Sequence, residues 1–194
     1  MSGINKASGQ SMRMQRPCDG LIAFLLSLTL VVPHANSVGA QETDELTSIQ
    51  ARLQRLEDLE SIRQLLIDYG RHLDARDFVA YAGLFTEDGE WIGGFGRVQG
   101  PAAIQAEMEK QIGKEPQVPG KSNHHIFINE SIEVEGDTAH ALSKWIFMVT
   151  GEGNRPVPVY LGHYDDQLVR MDGVWKFKRR VVYADIPFDD PLSD

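Results

Sequence analysis

The chain has 194 residues, 42% of them hydrophobic, which suffices for one globular domain with a sizeable core. Its net charge of −9 argues against nucleic acid as a partner, because an acidic surface repels phosphate backbones. The single cysteine, Cys18, lies near the N-terminus. Disulfides, thiolate catalysis and zinc–thiolate sites are therefore excluded from the remainder of the chain.

The first forty residues have the layout of a secretory signal peptide. Basic residues precede a 12-residue apolar run, 21–32, which is too short to span a bilayer, and small residues follow at 36–40. We therefore expect residues 1–40 to be cut off near Ala40 and the mature protein to be exported, to the periplasm in a Gram-negative source. The alternative is a buried N-terminal helix. Removing this segment, with its three basic residues and one acidic residue, would change the net charge to −11.

The stretch 41–75 predicts a long amphipathic helix, because apolar residues recur in steps of three or four. The stripe consists of Leu56, Leu59, Ile62, Leu66, Tyr69 and Leu73. It continues towards the N-terminus through Leu46, Ile49 and Leu53, farther than one small domain can cover. We expect this end to pack on a neighbouring subunit.

The rest of the chain predicts further helices and then a sheet. A short amphipathic helix at 78–85 and a turn at 86–89 precede a glycine-rich strand, 89–98, and a helix, 102–112. A loop at 113–122 is either a lid or only a connection. Four strands follow, at 123–134, 138–150, 156–170 and 174–184, joined as pairs by Gly-Asp and Asp-Gly turns. Residues 41–186 thus predict one α+β domain with a pocket inside a curved sheet, and 187–194 a frayed acidic tail.

A family resemblance begins at the long helix. Tyr69, Asp74, Asp77-Phe78, Leu84-Phe85 and Asp88-Gly89, in this order, resemble the opening of the SnoaL-like branch of the nuclear-transport-factor-2-like (NTF2-like) superfamily. That branch includes scytalone dehydratase, bile-acid 7α-dehydratase and hexachlorocyclohexane dehydrochlorinase. The resemblance runs from about residue 46 to residue 185. It implies a cone of one long and several short helices on a curved, mostly antiparallel sheet, and a homodimer or homotrimer.

Two adjacent histidines, His124 and His125, open the first long strand. Strand alternation sends them to opposite faces, and both faces are partly apolar, so periodicity does not choose between them. The resemblance selects His125, because the family's catalytic histidine stands four residues before an asparagine, here Asn129. It likewise implies that Asp74 is the aspartate of a catalytic dyad. Tyr69 matches the tyrosine of the bile-acid dehydratase group.

These three residue types suffice for elimination without a cofactor. A neutral imidazole takes a proton from carbon when a buried carboxylate orients it and stabilises its charged form. A phenol can donate to an oxygen that gains negative charge. Tyr69 and Asp74 are five residues apart, however, about 140° around an ideal helix, so only a helix end near Leu73 would bring them to one face. Asp74 could equally terminate the helix or pair with an arginine, and Tyr69 could be a core residue.

Five aromatic residues are candidates for substrate binding: Trp91, Phe127, Trp145, Phe147 and Tyr164. Tyr164 could instead pack on Trp145. Arg179 and Arg180 are expected to solvate a strand edge or to pair with acids, and His72 to face solvent. We expect no metal, because adjacent strand histidines diverge and no second carboxylate pair completes a ligand shell.

The expected function is that of a cofactor-independent lyase of the dehydratase, dehydrohalogenase or deformylase type. It would act on a hydrophobic small molecule such as a steroid, polyketide or aromatic compound. A ketosteroid-isomerase-like or cyclase-like isomerase would use the same groups. A non-catalytic exported binding protein for an apolar ligand is a second class. A structural role through the long helix is a third, and it would predict a cone filled by side chains.

Overall fold

The computed structural model describes residues 36–118 and 122–193, with side chains from residue 41 onwards. The predicted signal peptide lies outside the described residues except for its last five, which begin the first helix. The described residues form three helices, α1 (Asn36–Ala75), α2 (Phe78–Gly83) and α3 (Pro101–Ile112), and a 3₁₀ turn, Glu152–Asn154. Their strands are β1 (Phe85–Gly93), β2 (Gly96–Gln99), β3 (His124–Glu135), β4 (Thr138–Thr150), β5 (Pro156–Met171), β6 (Val174–Ile186) and β7 (Phe188–Asp189). None of these helices is both long and apolar enough to cross a membrane.

The strands form one sheet in the order β2-β1-β6-β5-β4-β3, and β7 adds to β6. Strands β3 to β6 are the predicted meander of antiparallel neighbours, whereas β1 pairs with β6 in parallel. Helix α1 packs on the sheet, and α2 and α3 pack on each other beside β1. The predicted α+β architecture, helices on a curved and mostly antiparallel sheet, is confirmed.

Three predicted segments differ from the structure. The single strand predicted at 89–98 is a hairpin of β1 and β2, whose turn ends at Gly96 with a φ of 94° that favours glycine. The turn predicted at 86–89 lies within β1, where the register against β6 shifts between Phe85 and Glu90. The tail is not frayed throughout, because Phe188 and Asp189 pair with β6.

The apolar stripe of α1 divides into a buried and an exposed half. Ile62, Leu65, Leu66, Tyr69 and Leu73 are buried against the sheet. Leu46, Ile49, Leu53 and Leu56 are exposed, because the helix projects beyond the edge of the core. The helix is thus anchored by its C-terminal half, which is also the half that carries the predicted dyad aspartate.

A buried ion pair lies at the centre of the core. Arg180 on β6 and Asp166 on β5 are register partners, both 0% exposed, and the guanidinium donates two hydrogen bonds of 2.7 Å to the carboxylate. Burial alone lowers the pKa of Arg180, but the Asp166 carboxylate more than offsets this and the pKa is raised. The guanidinium also lies 3.8 Å from the ring centre of Tyr69 and 4.1 Å from that of Tyr164.

Of the two expected roles of Arg180, at a solvated strand edge or in a pair with an acid, the structure shows the second. The register between β5 and β6 shifts where Gln167 pairs with Arg179 and Leu168 with Phe177. This bulge leaves one extra residue in β6, so Phe177 and Arg180 both face the core although they are three residues apart. Strict alternation predicts that they face opposite sides.

Replacing Asp166 with alanine is expected to lower the free energy of unfolding by about 3–5 kcal/mol, because it leaves the Arg180 charge buried without its partner. Urea denaturation measures this loss. The control is Asp165→Ala, which removes the neighbouring carboxylate, 41% exposed and paired with His140. That change should cost no more than about 1 kcal/mol. Equal losses for the two variants would contradict a central role for the ion pair.

Candidate active site

The predicted dyad residues meet where helix α1 ends and strand β3 begins. The Asp74 carboxylate holds His125 at two points: Oδ1 lies 2.6 Å from the ring Nδ1, and Oδ2 accepts the backbone N–H of His125 at 2.9 Å. An ionised carboxylate only accepts hydrogen bonds, so Nδ1 carries the ring proton. The unprotonated nitrogen of the neutral ring is then Nε2, as a general base requires.

The ring of His125 lines a cavity of about 390 Å³. Aromatic and aliphatic side chains form most of its wall, and the predicted residues among them are Tyr69, Trp91, Trp145, Phe147 and Tyr164. Other lining residues include Leu73, Tyr81, Phe95, Met108, Ile112, Tyr160 and Val182. The interior of the cone is thus not filled by side chains. This is the feature that separates a ligand site from the purely structural role.

Phe127 and Asp74 are not among the residues that line this cavity. Phe127 stacks on Tyr164, with ring centres 5.4 Å apart, and packs against α1 at Gly70, where a Cβ would lie 2.2 Å from its ring. It therefore supports the cavity wall from behind, and direct contact with substrate stays a prediction.

Asp74 contacts His125 but does not line the cavity. Tyr69 and Asp74 can therefore take part in one site although they point in different directions from the helix. Helix α1 does not end at Leu73 but continues to Ala75. Tyr69 faces the interior of the cone while Asp74 faces β3. The two residues need not share a helix face, because the histidine carries the effect of the carboxylate to the cavity.

Tyr69 is 2% exposed, and its hydroxyl oxygen accepts a hydrogen bond of 3.0 Å from the indole N–H of Trp91. An indole only donates, so the Tyr69 oxygen is the acceptor in this pair and its own proton must point elsewhere. Tyr69 therefore has a hydroxyl proton available for a ligand in the cavity that it lines.

Tyr81 was not identified from the sequence, although it lines the same cavity. Its buried hydroxyl lies beside the hydroxyl of Tyr69. Burial, together with the neighbouring Tyr69, raises the pKa of Tyr81 well above its ordinary value. Burial has the same effect on the pKa of Tyr164. Both phenols therefore stay neutral near physiological pH.

Gln117 joins the two elements that carry the dyad. Its side-chain amide donates to the backbone carbonyls of Asp74, at 2.5 Å, and of Asn123, at 3.2 Å. Its carbonyl oxygen accepts the backbone N–H of Asn123. One side chain thus fastens the last turn of α1 to the residue before β3. No local sequence pattern marks this role, because the contacts span 43 positions.

Replacing Gln117 with alanine is expected to lower the free energy of unfolding by about 1.5–4.5 kcal/mol, because three hydrogen bonds are lost and each contributes roughly 0.5–1.5 kcal/mol. It should also weaken the downfield NMR signal of the His125 Nδ1 proton, since the dyad is held less firmly. Gln111→Ala is the control, because Gln111 is exposed and bonds only to Glu107 in its own helix. An unchanged Nδ1 signal in Gln117→Ala would contradict the positioning role.

None of the other histidines in residues 36–193 that the structure describes joins the dyad. His124 is exposed, lies 4.0 Å from Asp74 through Nδ1 and contacts Ser122 through Nε2. His72 is partly buried beside Asp77, so the prediction that it faces solvent is wrong. His163 pairs with Asp185. Within residues 36–118 and 122–193, no three His, Cys, Asp or Glu side chains cluster in a way that could hold a metal ion.

The profile of the SnoaL-like domain matches residues 54–181. The chain belongs to this family. An uncharacterized protein of Mycobacterium tuberculosis, Rv2910c, is 30% identical over 132 residues, which cover 65% of this chain and 84% of the relative. A relative of the same identity and coverage occurs in Mycobacterium bovis.

Several solved structures have a fold similar to that of this SnoaL-like domain. An NTF2-like protein with a cystatin-like fold from Novosphingobium aromaticivorans is 31% identical, with a TM-score of 0.64 over 71% of this chain and 88% of its own. A putative scytalone dehydratase from the same species is 26% identical, with a TM-score of 0.57 over 72% and 96%. LinA is 25% identical, with a TM-score of 0.59 over 73% and 94%. The predicted family and the NTF2-like cone are confirmed.

Proposed function

We propose that this SnoaL-like protein is a cofactor-independent lyase that acts on a hydrophobic small molecule. The observation that carries the proposal is the two-point hydrogen bond between Asp74 and His125 at the wall of an aromatic cavity. A structural histidine on a strand needs a partner for its ring but no adjoining empty space. Here the ring has both.

The reaction begins with transfer of a substrate proton from carbon to Nε2 of His125. Asp74 stabilises the imidazolium that results and keeps the ring in one orientation. The apolar wall excludes water, which strengthens the attraction between the two charges. Tyr69 donates a hydrogen bond to the oxygen that gains negative charge. In a dehydration, the bond from the β-carbon to oxygen then breaks, and the departing hydroxyl group takes the proton from the imidazolium and leaves as water, which returns His125 to its neutral form. No step requires a metal or an organic cofactor.

The SnoaL-like, NTF2-like fold with these neighbours supports an enzymatic or ligand-binding role in a small-molecule pocket. One neighbour is named a putative scytalone dehydratase, so we propose water as the leaving group. Loss of halide or of formaldehyde would use the same residues.

Replacing His125 with glutamine is expected to abolish turnover, because an amide cannot accept the substrate proton. The protein is incubated with a panel of hydrophobic β-hydroxy carbonyl compounds, β-hydroxy ethers and halides, and mass spectrometry follows the loss of water, acid or formaldehyde. His124→Gln is the matched control, since it changes the adjacent, exposed histidine and should retain activity.

Other results would point to the alternative functions. A product of unchanged mass but altered absorbance would indicate the isomerase or cyclase. Ligands bound unchanged by both the wild-type protein and His125→Gln would favour the exported binding protein. Equal activity of His125→Gln and the wild-type protein would contradict the dyad mechanism.

Tyr69→Phe is expected to lower kcat by roughly 10²–10⁴-fold, the usual contribution of a positioned proton donor. The ring and its contact with Arg180 remain, but the buried indole N–H of Trp91 loses its acceptor, so the free energy of unfolding should also fall by about 1–3 kcal/mol. Steady-state kinetics on the substrate found above measure the effect. The control is Tyr160→Phe, which removes a more exposed hydroxyl from the same cavity. Comparable losses in both variants would contradict a specific role for Tyr69.

We also propose that the mature protein is exported and forms a homodimer or homotrimer. Two apolar surfaces support assembly: the exposed N-terminal half of the α1 stripe, and an exposed to half-buried row across the outer sheet face. That row consists of the register partners Ile126, Ile146, Leu161 and Ile186. Sedimentation of Leu53→Glu and Leu161→Glu would show which surface is used, and a monomeric wild-type protein would contradict the proposal.

A further inference from the structure

Arg76 lies in an unusual place next to the dyad. It follows the last residue of α1 and has a φ of 62°, in the left-handed region that non-glycine residues rarely adopt. The N–H of Asp77 closes the helix end by donating to the carbonyl of His72. This turn directs the partly buried Arg76 side chain to the wall of the catalytic cavity, which it lines together with His125.

The guanidinium of Arg76 has only weak, neutral partners. It donates to the carbonyl of Leu73 and to the side-chain oxygen of Asn123, both at 3.4 Å. Arg170 and Arg180, by contrast, both bind carboxylates at 2.7 Å. No carboxylate within the described residues forms an ion pair with Arg76 at 4.0 Å or less.

The charge of Arg76 is thus desolvated without a direct counter-ion. Burial lowers the pKa of Arg76, and the nearby Asp74 acts in the opposite direction. Each oxygen of Asp74 accepts a hydrogen bond from His125, and within the described residues neither oxygen forms an ion pair with the guanidinium. A partly buried cation in this state gains when an anion from outside displaces its long hydrogen bonds.

We propose that Arg76 is an anion-binding subsite of the cavity and that the natural ligand is an apolar molecule with a carboxylate group. The carboxylate binds the planar guanidinium fork of Arg76, and the apolar body lies among the aromatic side chains. The inference shares its cavity with the proposed function but does not require turnover.

This assignment gives the ligand an orientation. Asp189 is the acidic residue among the side chains that line the cavity, and it carries the opposite charge to Arg76. A ligand carboxylate is attracted to Arg76 and repelled by Asp189. The ligand carboxylate takes no part in the chemical step, so its binding energy serves to place the reacting carbon beside Nε2 of His125.

The experiment compares acids with their neutral amides by isothermal titration calorimetry. Four pairs of increasing size are used: benzoate, 2-naphthoate, 4-phenylbenzoate and anthracene-2-carboxylate, each with its carboxamide. The wild-type protein should bind at least one acid roughly tenfold or more tightly than its amide, as expected of a charge-assisted hydrogen bond. Arg76→Gln should remove this preference without weakening the amide.

The variants separate the subsite from folding and from catalysis. Glutamine retains an unbranched side chain at the left-handed position, so Arg76→Gln should add no backbone strain beyond that of arginine. Arg71→Gln is the matched control, because Arg71 lies on the exposed face of α1 and pairs with Asp68. The preference for the acid over the amide should survive in this variant. His125→Gln should also retain it, although turnover is lost.

Two results would overturn the proposal. One is the absence of an acid preference in the wild-type protein across all four pairs. The other is an acid preference that survives Arg76→Gln. Because neither readout involves turnover, a failed anion subsite leaves the lyase proposal standing, and a failed lyase proposal leaves the subsite standing.

Discussion

The buried pair of Arg180 and Asp166 organises the core beneath the cavity. Its guanidinium contacts the rings of Tyr69 on α1, Tyr164 on β5 and Phe177 on β6, so one charged group joins the helix to two strands. A cation so deep in a core is stable only because a carboxylate faces it at ideal distance. The position of Tyr69, and with it the floor of the cavity, therefore depends on an ion pair that never reaches solvent.

A second carboxylate connects the elements at the side of the cavity. Asp74 holds both the backbone and the ring of His125, and Gln117 ties the same two chain segments together through their backbones. A catalytic base must be held within a fraction of an ångström of the position from which it accepts the substrate proton. The hydrogen bonds that hold His125 in place join the C-terminal end of α1 to the N-terminal end of β3. The Nε2 atom of the ring makes no bond to the Asp74 carboxylate and is left to act as the base.

The sequence predicted those parts that follow from local patterns or from residue order. Periodicity identified α1 and the meander, and the family resemblance paired Asp74 with His125 although periodicity could not distinguish His125 from His124. The burial of Arg180 on the same side as Phe177 was not predicted, because a bulge in β6 interrupts the alternation of the strand. The sequence did not predict the roles of Gln117, Tyr81 and Arg76. These roles arise when the fold brings the three side chains to the dyad and the cavity, and no local sequence pattern encodes that arrangement.

The aromatic cavity also depends on residues that have no side chain. Trp145 crosses its register partner Gly162, where a Cβ would lie 2.6 Å from the indole and 2.0 Å from the carbonyl oxygen of Tyr183. Phe127 crosses Gly70 in the same way. A larger residue at either glycine would push an aromatic ring towards the cavity and fill the space that a ligand needs. Large rings can thus form the wall without closing it, and they surround Nε2 with an apolar medium in which the charge of Asp74 acts strongly.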